Sequence, residues 1–242
     1  MKNGYKLPAG LNRKIGRAMH DFALLAEGDH VLVAVSGGVD SLALACVLKI
    51  WQQKAPIHFS LTALYIDHGF WKRQQGAVDP SEAIARQLRG LSLSFEVVEE
   101  WRIAETDRTC FQCSRNRRSQ LFDLAREKGY NKIALGHHKD DLIETFMLNA
   151  IYSGNISTMM PKQQLFGGTL SLIRPMAYLE KQEVCEIAAG LQLEAVKNLC
   201  PLSADTRREK VRRLLQTLYR DEPAARSSLF AALSNVRKDY LL

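Results

Sequence analysis

The chain has 242 residues, of which 46% are hydrophobic and 24% are charged, as in ordinary globular proteins. This composition excludes a disordered or fibrous protein, and the length fits one domain or one domain with an appendage. The net charge of +7 favours a polyanionic partner, with nucleic acid as the first candidate.

Two features predict the compartment. The longest apolar stretches, such as Val31–Val35 and Leu42–Leu48, are shorter than the roughly 18 residues that span a bilayer. The first ten residues lack the apolar core of a secretion signal. We therefore expect no membrane contact and a cytoplasmic location. In a reducing compartment, five cysteines favour metal or redox roles over structural disulfides.

Hydrophobic spacing predicts helices and strands that alternate along most of the chain. The predicted helices up to residue 152 lie at 11–26, 41–53, 80–89, 114–128 and 140–152. The predicted strands lie at 30–35, 59–66, 93–99 and 132–135. Beyond Pro175 the pattern is helical, at about 180–190, 206–219 and 224–237.

Alternating strands and helices imply parallel strands joined by right-handed crossovers. The predicted fold class is therefore a doubly wound parallel α/β sheet, which we place at residues 27–175. An N-terminal helical segment, 1–26, precedes it, and a helical C-terminal region, 176–242, packs on it. Such sheets bind ligands at the carboxyl ends of their strands.

The strongest local motif is a loop between the first strand and its helix, with the sequence Ser36-Gly37-Gly38-Val39-Asp40-Ser41. Its glycines let the backbone approach a ligand, and the helix N-terminus attracts an anion. Asp40 adds a carboxylate where magnesium bridging two phosphates would need oxygen ligands. A glycine turn with a serine cap is the structural alternative. The complete motif in this setting favours a phosphate site.

Two further strand ends carry polar residues, with the sequences Tyr65-Ile66-Asp67-His68-Gly69 and Gly136-His137-His138-Lys139-Asp140-Asp141. Helix capping alone could explain the two acids of the second segment. Beside the phosphate loop, we favour a functional role for them. No zinc pattern accompanies the histidines, so we interpret these as local hydrogen-bonding residues.

The cysteines fall into two groups. Cys110 and Cys113 form a CxxC directly before a predicted helix, and Cys200 precedes a proline at a break between helices. A CxxC is ambiguous between zinc, an iron–sulfur cluster, a redox dithiol and chance. Cys46 and Cys185 lie on predicted apolar helix faces, so we expect them to be buried small hydrophobic residues.

These motifs together resemble a known family. The phosphate loop is similar to the SGGxDS loop of the N-type ATP pyrophosphatases, or PP-loop enzymes. Over about residues 11–237 the chain resembles the tRNA 2-thiocytidine synthetases. That resemblance rests on Cys110-x-x-Cys113-Ser114-Arg115, Gly136-His-His-Lys-Asp-Asp141, Ile173-Arg174-Pro175-Met176 and Asn198-Leu199-Cys200, in this order.

The resemblance implies ATP-dependent tRNA thiolation, in which ATP is cleaved to AMP and pyrophosphate and sulfur replaces a base oxygen, most simply at C2 of a cytidine. It implies a 4Fe-4S cluster on Cys110, Cys113 and Cys200, whose open iron carries sulfur, although the spacing alone does not distinguish this cluster from zinc.

The resemblance also implies roles for residues at the ATP site. It implies Asp40 and Asp141 as catalytic residues, with Asp40 holding Mg²⁺. It also implies ATP contacts from Ala34, Val35, Ser36, Gly37, Gly38, Val39, Asp40, Ser41, Ile66, Asp67, Gly136 and Asp140.

Arginines cluster beside the CxxC pair and in the C-terminal region. A solvated helix surface is the simpler explanation, but two such runs favour contacts with RNA phosphates. The candidate RNA-binding residues are Arg115, Arg117, Arg118, Arg207, Arg208, Arg212 and Arg213. The expected partners are tRNA and a sulfur donor, either a cysteine desulfurase or free sulfide, and a homodimer is a candidate assembly.

Two alternatives stay open. The segment 67–70 is more similar to lysidine synthetases than to the thiocytidine family, which leaves the target nucleotide open. The first alternative is ATP-dependent ligation or amidation of a tRNA base, as in lysidine synthesis, which needs no cluster. The other alternative is a non-enzymatic RNA-binding or redox-sensing protein that carries a cluster and retains ATP as a structural ligand.

Overall fold

The computed structural model describes residues 5–104, 106, 108–197, 199–200, 206–237 and 239. Within them the strands are β1 (Asp29–Ala34), β2 (Phe59–Asp67), β3 (Ser94–Glu99), β4 (Lys132–Ala134), β5 (Lys162–Leu165) and β6 (Leu170–Ile173). They form one sheet in the order β3-β2-β1-β4-β6-β5. Every neighbouring pair is parallel except β5 and β6. The doubly wound α/β class is confirmed.

The helices of the described residues alternate with these strands and then continue the chain. They are α1 (Ala9–Asp21), α2 (Val39–Gln52), α3 (Pro80–Leu88), α4 (Cys110–Glu127), α5 (Lys139–Ser153), α6 (Lys181–Gly190), α7 (Arg207–Asp221) and α8 (Ala225–Ala232). Short 3-10 turns lie at 70–73, 89–91 and 166–168. None of the helices in the described part of the chain is long and apolar enough to cross a bilayer.

Four sequence predictions differ from the structure. Helix α1 ends at Asp21 and not at residue 26, because the chain turns at Ala23, whose φ is +43°. Helix α4 begins at Cys110 and not after the CxxC pair, because Thr109 caps it by accepting a hydrogen bond from the Gln112 N–H at 3.1 Å. Strands β5 and β6 were not predicted. Helix α8 ends at Ala232 and not near residue 237. Asn198 and Pro201, which flank the third motif cysteine, lie outside the described residues.

The core lies on both faces of the sheet. On one face, Val31 and Val33 of β1 pack with α1, α2, α3 and α6. On the other, Leu32 packs with Leu121 and Ala125 of α4. Every residue from 42 to 48 of α2 is buried, so this helix is enclosed on all sides. The loop that opens α2 is therefore mounted on rigid elements.

The C-terminal region (176–242), called the tail below, docks on α5 through helix α7 and a third apolar cluster. Ile143 of α5 packs against Val211 and Leu215 of α7. Beside them, the Arg212 guanidinium donates to both oxygens of Glu144, at 2.8 and 3.1 Å. The Glu144 side chain is only 6% exposed, so Arg212 neutralises a carboxylate that has lost its water.

Replacing Arg212 with methionine is expected to lower the free energy of unfolding by about 1–3 kcal/mol, because Glu144 would keep a buried charge without this partner. Urea unfolding measures the change. Arg220→Met, at an exposed position of the same helix, is the control and should change stability by less than about 0.5 kcal/mol. Equal stability of the two variants would mean that the ion pair contributes nothing to docking.

The chain order of the strands reverses between β1 and β4. From β1 the chain proceeds outward through β2 to β3, then returns to place β4 on the other side of β1. In doubly wound sheets the crevice at such a reversal is where ligands bind. The phosphate-loop motif and the segment 136–141 follow these two strands.

Candidate active site

A cavity of about 560 Å³ opens at the carboxyl ends of β1, β2 and β4. That volume lies in the range of about 300–1,000 Å³ typical of small-molecule sites. The predicted site residues that line it are Ala34, Val35, Ser36, Gly38, Asp40, Ser41, Ile66, Asp67, Gly136, Asp141, Cys110, Cys113, Cys200 and Arg117.

Other predicted site residues are not part of the cavity lining. They are Gly37, Val39, Asp140, Arg115, Arg118, Arg207, Arg208, Arg212 and Arg213. The lining places the motifs together but does not test any residue's role, so these assignments stay predictions.

The phosphate loop is held in a fixed shape by its own side chains. The Ser36 N–H donates to Ser41 Oγ at 3.0 Å, and the Ser41 hydroxyl donates to the Gly38 carbonyl at 2.9 Å. Gly37 has φ of +81°, and a Cβ there would lie 3.1 Å from Cβ of Val196. Glycine is therefore required at this position. The Val196 N–H donates to the Gly37 carbonyl at 2.9 Å, which joins the tail to the loop.

Gly136 brings a second strand end against this loop. A Cβ at Gly136 would lie 3.0 Å from the backbone of Asp40, too close for any other residue without a shift. The close approach sets the start of α5 beside the start of α2. The acids that open α5 therefore lie near the phosphate loop.

The two neighbouring acids of α5 face different surroundings. Asp141 lines the cavity, accepts the His138 N–H at 3.0 Å and caps its own helix. Asp140 instead accepts the Lys181 N–H at 2.8 Å and pairs with Arg226 at 3.2 Å. Burial opposes the charge on Asp140, yet His138, Lys181 and Arg226 together hold its pKa below the usual value. Asp140 thus contributes to docking of the tail.

His138 joins the acids of the site. Its Nε2 lies 3.3 Å from Asp141 and 3.8 Å from Asp40, and Nδ1 lies 3.6 Å from Asp140. Burial lowers the pKa of His138, but these three carboxylates outweigh it and raise the pKa above its ordinary value. The imidazolium form partly offsets the negative charge of the cluster.

The donor set around the phosphate loop suits magnesium. The Asp40 carboxylate is about one-third exposed, lines the cavity and forms an ion pair with Lys181. The Asp141 carboxylate and the Ser36 and Ser41 hydroxyls line the same cavity. Hard oxygen donors beside a phosphate site are the ligands that Mg²⁺ takes, together with phosphate oxygens.

His137 lines the cavity and contacts a buried arginine, Arg174. Burial lowers the pKa of His137 to about 4, so its ring is neutral at pH 7. Its Nδ1 accepts from Nε of Arg174 at 3.2 Å. Burial also lowers the pKa of Arg174, to about 10. This contact agrees with the interpretation of His137 as a local hydrogen-bonding residue.

The three motif cysteines meet at the cavity. Cys110 and Cys113 occupy the first turn of α4, while Cys200 comes from the segment that follows α6. Burial raises the pKa of the Cys113 thiol, and the charges of Glu100 and Cys200 add to this rise, while the Arg108 guanidinium opposes it. In the described part of the chain, no three His, Cys, Asp or Glu side chains surround a point fit for one metal ion. A cluster binds one thiolate per iron, which spaces its ligands more widely.

A buried ion pair supports Cys113. Arg108 donates to Sγ of Cys113 at 3.7 Å and pairs with Glu100 at 2.9 Å. The Glu100 side chain is 5% exposed and also contacts Nδ1 of His68 at 2.7 Å. Soft thiol donors with a hydrogen bond to one sulfur fit an iron–sulfur centre, whose properties such bonds tune.

The remaining cysteines differ from each other. Cys46 is 1% exposed in α2, which confirms the expectation of a buried residue. Cys185 is exposed on α6, so the corresponding prediction is wrong. The buried face of α6 is formed by Val184, Ile187 and Ala188, and Cys185 lies outside that face.

The arginine clusters are only partly available to a polyanion. Arg208 contacts Thr145 at 3.0 Å and Asp141 at 3.7 Å, and with Arg212 it ties α7 to α5. The Arg207 guanidinium stacks over Tyr152 at 5.0 Å. On α4, Arg115 and Arg118 are exposed on the same helix as the CxxC pair. The exposed positions on α4 are better placed for RNA than Arg208 and Arg212.

Sequence motifs missed three charged residues that contact the site or support it. Lys181, Glu100 and Arg108 belong to no motif, although Lys181 pairs with Asp40 and Arg108 contacts both Cys113 and Glu100. The one available signal was the position of Glu100 directly after β3, where polar residues at a strand's carboxyl end face the ligand crevice. The pairing of Lys181 with Asp40 joins residues 141 positions apart, and no local pattern predicts it.

Comparison with protein families gives a match to the PP-loop domain over residues 9–218. The chain is 35% identical to a tRNA-cytidine(32) 2-sulfurtransferase of Cupriavidus pinatubonensis, over 99% of this chain and 77% of that one. It is also 35% identical to the protein of the same name from Citrifermentans bemidjiense, over 96% of this chain and 92% of that one.

Among solved structures, one similar fold is "U34-tRNA thiolase NcsA from Methanococcus maripaludis with its [4Fe-4S] cluster". It has a TM-score of 0.76 and 23% identity, over 93% of this chain and 76% of that one. NAD+ synthetase from Burkholderia pseudomallei is more distant, with a TM-score of 0.50 and 13% identity over 94% of this chain and 92% of that one. At these identities the likeness concerns the fold.

Proposed function

The chain belongs to the PP-loop family, in which it is a member of the tRNA-cytidine(32) 2-sulfurtransferases, and from that premise we propose that it thiolates tRNA. ATP would activate a base carbonyl, most simply at C2 of a cytidine, and sulfur would replace its oxygen. The observation that carries the proposal is one cavity lined by both the phosphate loop and the three motif cysteines.

The proposed reaction has two steps. The C2 oxygen of the base attacks the α-phosphorus of ATP, the bond between the α and β phosphates breaks, and pyrophosphate leaves. Hydrosulfide then attacks C2, the bond from C2 to the activated oxygen breaks, and AMP leaves with that oxygen while a proton is released. The first step turns a poor leaving group into a good one.

The chain's own residues would supply orientation and charge. The first-turn N–H groups of α2 and the hydroxyl of Ser36 would bind phosphate oxygens, while the Ser41 hydroxyl holds the loop in shape through the Gly38 carbonyl. Asp40 would hold Mg²⁺, and Asp141 would assist in positioning metal or phosphate. Donors fixed in place before the reaction stabilise the charge that develops on the phosphates, which we expect to be the main contribution to the rate.

Cys110, Cys113 and Cys200 would hold a 4Fe-4S cluster. A bound cluster with three protein ligands leaves one iron free to carry an exogenous sulfur, whereas a fourth cysteine would close it. The Arg108 contact to Cys113 supports this assignment, because it offers a hydrogen bond to a ligand sulfur. The thiols lie in the ATP cavity, where sulfur would meet the activated base.

The proposal extends to partners and organisation. The sulfur donor would be a cysteine desulfurase or free sulfide, the assembly a homodimer, and the location the cytoplasm. Residues 27–175 would form the ATP-binding domain, with the segments 1–26 and 176–242 packed on it.

Two measurements test the function directly. Anaerobic purification followed by iron and sulfide analysis should find about four iron atoms per chain, and zinc in their place would refute the cluster. Nucleoside mass spectrometry of tRNA from a deletion strain should show loss of one thiolated nucleoside. Formation of a ligated or amidated tRNA base by protein that contains neither iron nor zinc would instead support the ligase alternative. No AMP formation with any tRNA would select the non-enzymatic alternative.

Charge reversal on α4 should weaken tRNA binding. For Arg115→Glu with Arg118→Glu, we expect tRNA affinity to fall at least tenfold at low salt. The slope of log affinity against log salt should become shallower by about 1–2, since fewer counterions are released. Arg126→Glu, at the exposed far end of the same helix, is the matched control. Equal affinity of both variants at every salt concentration would mean that this face is only a solvated surface.

A further inference from the structure

The phosphate loop contains no lysine or arginine between Ser36 and Ser41. A nucleoside triphosphate brings several negative charges to this loop. Backbone dipoles and one magnesium ion neutralise only part of them. Arg117 and Lys197 line the same cavity, but neither belongs to the loop, so a cation paired with Asp40 itself would complete the neutralisation there.

Lys181 supplies a cation at that place. Its ammonium forms an ion pair with the Asp40 carboxylate, at the first turn of α2. The Lys181 side chain is 48% exposed, so it is not enclosed by protein and can change partners. An ammonium on a flexible four-carbon stem is a common phosphate ligand, acting as a point charge.

The backbone of Lys181 is held in place by hydrogen bonds, whereas its side chain is about half exposed. Its N–H donates to Asp140 at 2.8 Å, and the preceding Glu180 is held by Lys139 at 3.0 Å and Arg226 at 2.7 Å. Helix α6 packs into the same core as α2 through Val184 and its neighbours. The stem of Lys181 therefore starts from a defined point beside the loop.

We propose that Lys181 is a phosphate-binding residue, whose ammonium leaves Asp40 for the β and γ phosphates of bound ATP when that carboxylate is engaged by magnesium. The inference rests on the proposed function and adds a residue of the C-terminal region to the ATP site. Because Lys181 is the first residue of α6, the packing of α6 against α2 would also position this cation for substrate binding.

The test compares nucleotide affinities of the full chain by isothermal titration calorimetry, with magnesium and without tRNA. In Lys181→Met, the affinities for ATP and inorganic pyrophosphate should fall at least about tenfold, the effect of losing one charge-assisted hydrogen bond. AMP affinity should change less than about twofold, because AMP lacks the β and γ phosphates. Lys181→Arg should keep most of the ATP affinity.

Lys14→Met is the matched control. Lys14 contacts the same helix through Glu183 at 2.7 Å and tests whether a loosened α6 alone disturbs binding. All three affinities should stay unchanged in this variant. Equal losses of ATP and AMP affinity in Lys181→Met, or a loss in Lys14→Met of the same size, would overturn the proposal in favour of a docking role.

A second comparison separates phosphate contact from simple neutralisation of Asp40. In an Asp40→Asn background without magnesium, Lys181→Met should still weaken ATP binding. No further loss there would show that Lys181 acts only on the Asp40 charge, and would overturn the inference. If the unsubstituted chain binds ATP but Lys181→Met binds it equally well, only this inference fails. If the unsubstituted chain does not bind ATP, the proposed function fails as well.

Discussion

Alanine at Cys110, Cys113 or Cys200 is expected to remove most of the bound iron and to abolish tRNA thiolation. Each substitution takes one of three thiolates from the proposed cluster and exposes a further iron to solvent. ATP-dependent pyrophosphate release should persist in part, because the phosphate loop follows a different strand from the CxxC helix. Iron and sulfide counting, cluster absorbance and a pyrophosphate assay on anaerobic protein measure the three outcomes.

The other two cysteines provide controls, because each also loses one thiol when it is replaced with alanine. Cys185 is exposed, so Cys185→Ala should change stability by less than about 0.5 kcal/mol and leave the iron content intact. Cys46 is buried, so Cys46→Ala should cost about 1 kcal/mol in packing and also retain the iron. Full iron content in Cys200→Ala, or loss of iron in Cys185→Ala, would contradict the choice of the third ligand.

The sheet and its flanking helices were predictable where burial extends over a whole element. Residues 31–33 of β1 are apolar on both faces of the sheet, and residues 42–48 of α2 are apolar all round, so these sequences differ from those of surface segments. Strand β5 has the polar sequence KQQL, and β6 has only four residues. These strands form because β6 pairs with β4 and β5 pairs with β6, which is a tertiary effect.

The motifs identified the location of the site, but they did not predict which way each side chain points. Asp140 and Asp141 are adjacent in the sequence, yet one turns to Arg226 and the other to the cavity. Successive helical residues are about 100° apart, so a motif of two acids does not specify which one faces a ligand. The same rotation places Cys185 in solvent beside the buried Val184.

Removal of the Asp40 charge is the most direct test of the ATP site. Asp40→Asn keeps the size of the side chain but removes the anionic oxygen proposed to bind magnesium. We expect pyrophosphate release to fall by about 10²–10³-fold, the usual effect of losing one preorganised electrostatic contact in a phosphoryl-type transition state. Higher magnesium concentrations should recover only part of the rate.

The loss should come from chemistry and not from unfolding. The pair between Asp40 and Lys181 is partly exposed, with side-chain exposures of 32% and 48%, and such pairs contribute about 0–1 kcal/mol to stability. Asp141 is a less clean target, since its carboxylate also caps α5 through the His138 N–H, and losing a cap costs about 1 kcal/mol.

Asp21→Asn is the matched control for Asp40→Asn. The Asp21 carboxylate is 34% exposed, close to the 32% of Asp40, and it accepts from the Tyr178 hydroxyl at 2.9 Å outside the cavity lining. This variant should keep its pyrophosphate release and its magnesium dependence. A rate for Asp40→Asn equal to that of Asp21→Asn, in folded protein, would place the magnesium ligand elsewhere in the cavity, with Asp141 as the next candidate because its carboxylate lines the same wall.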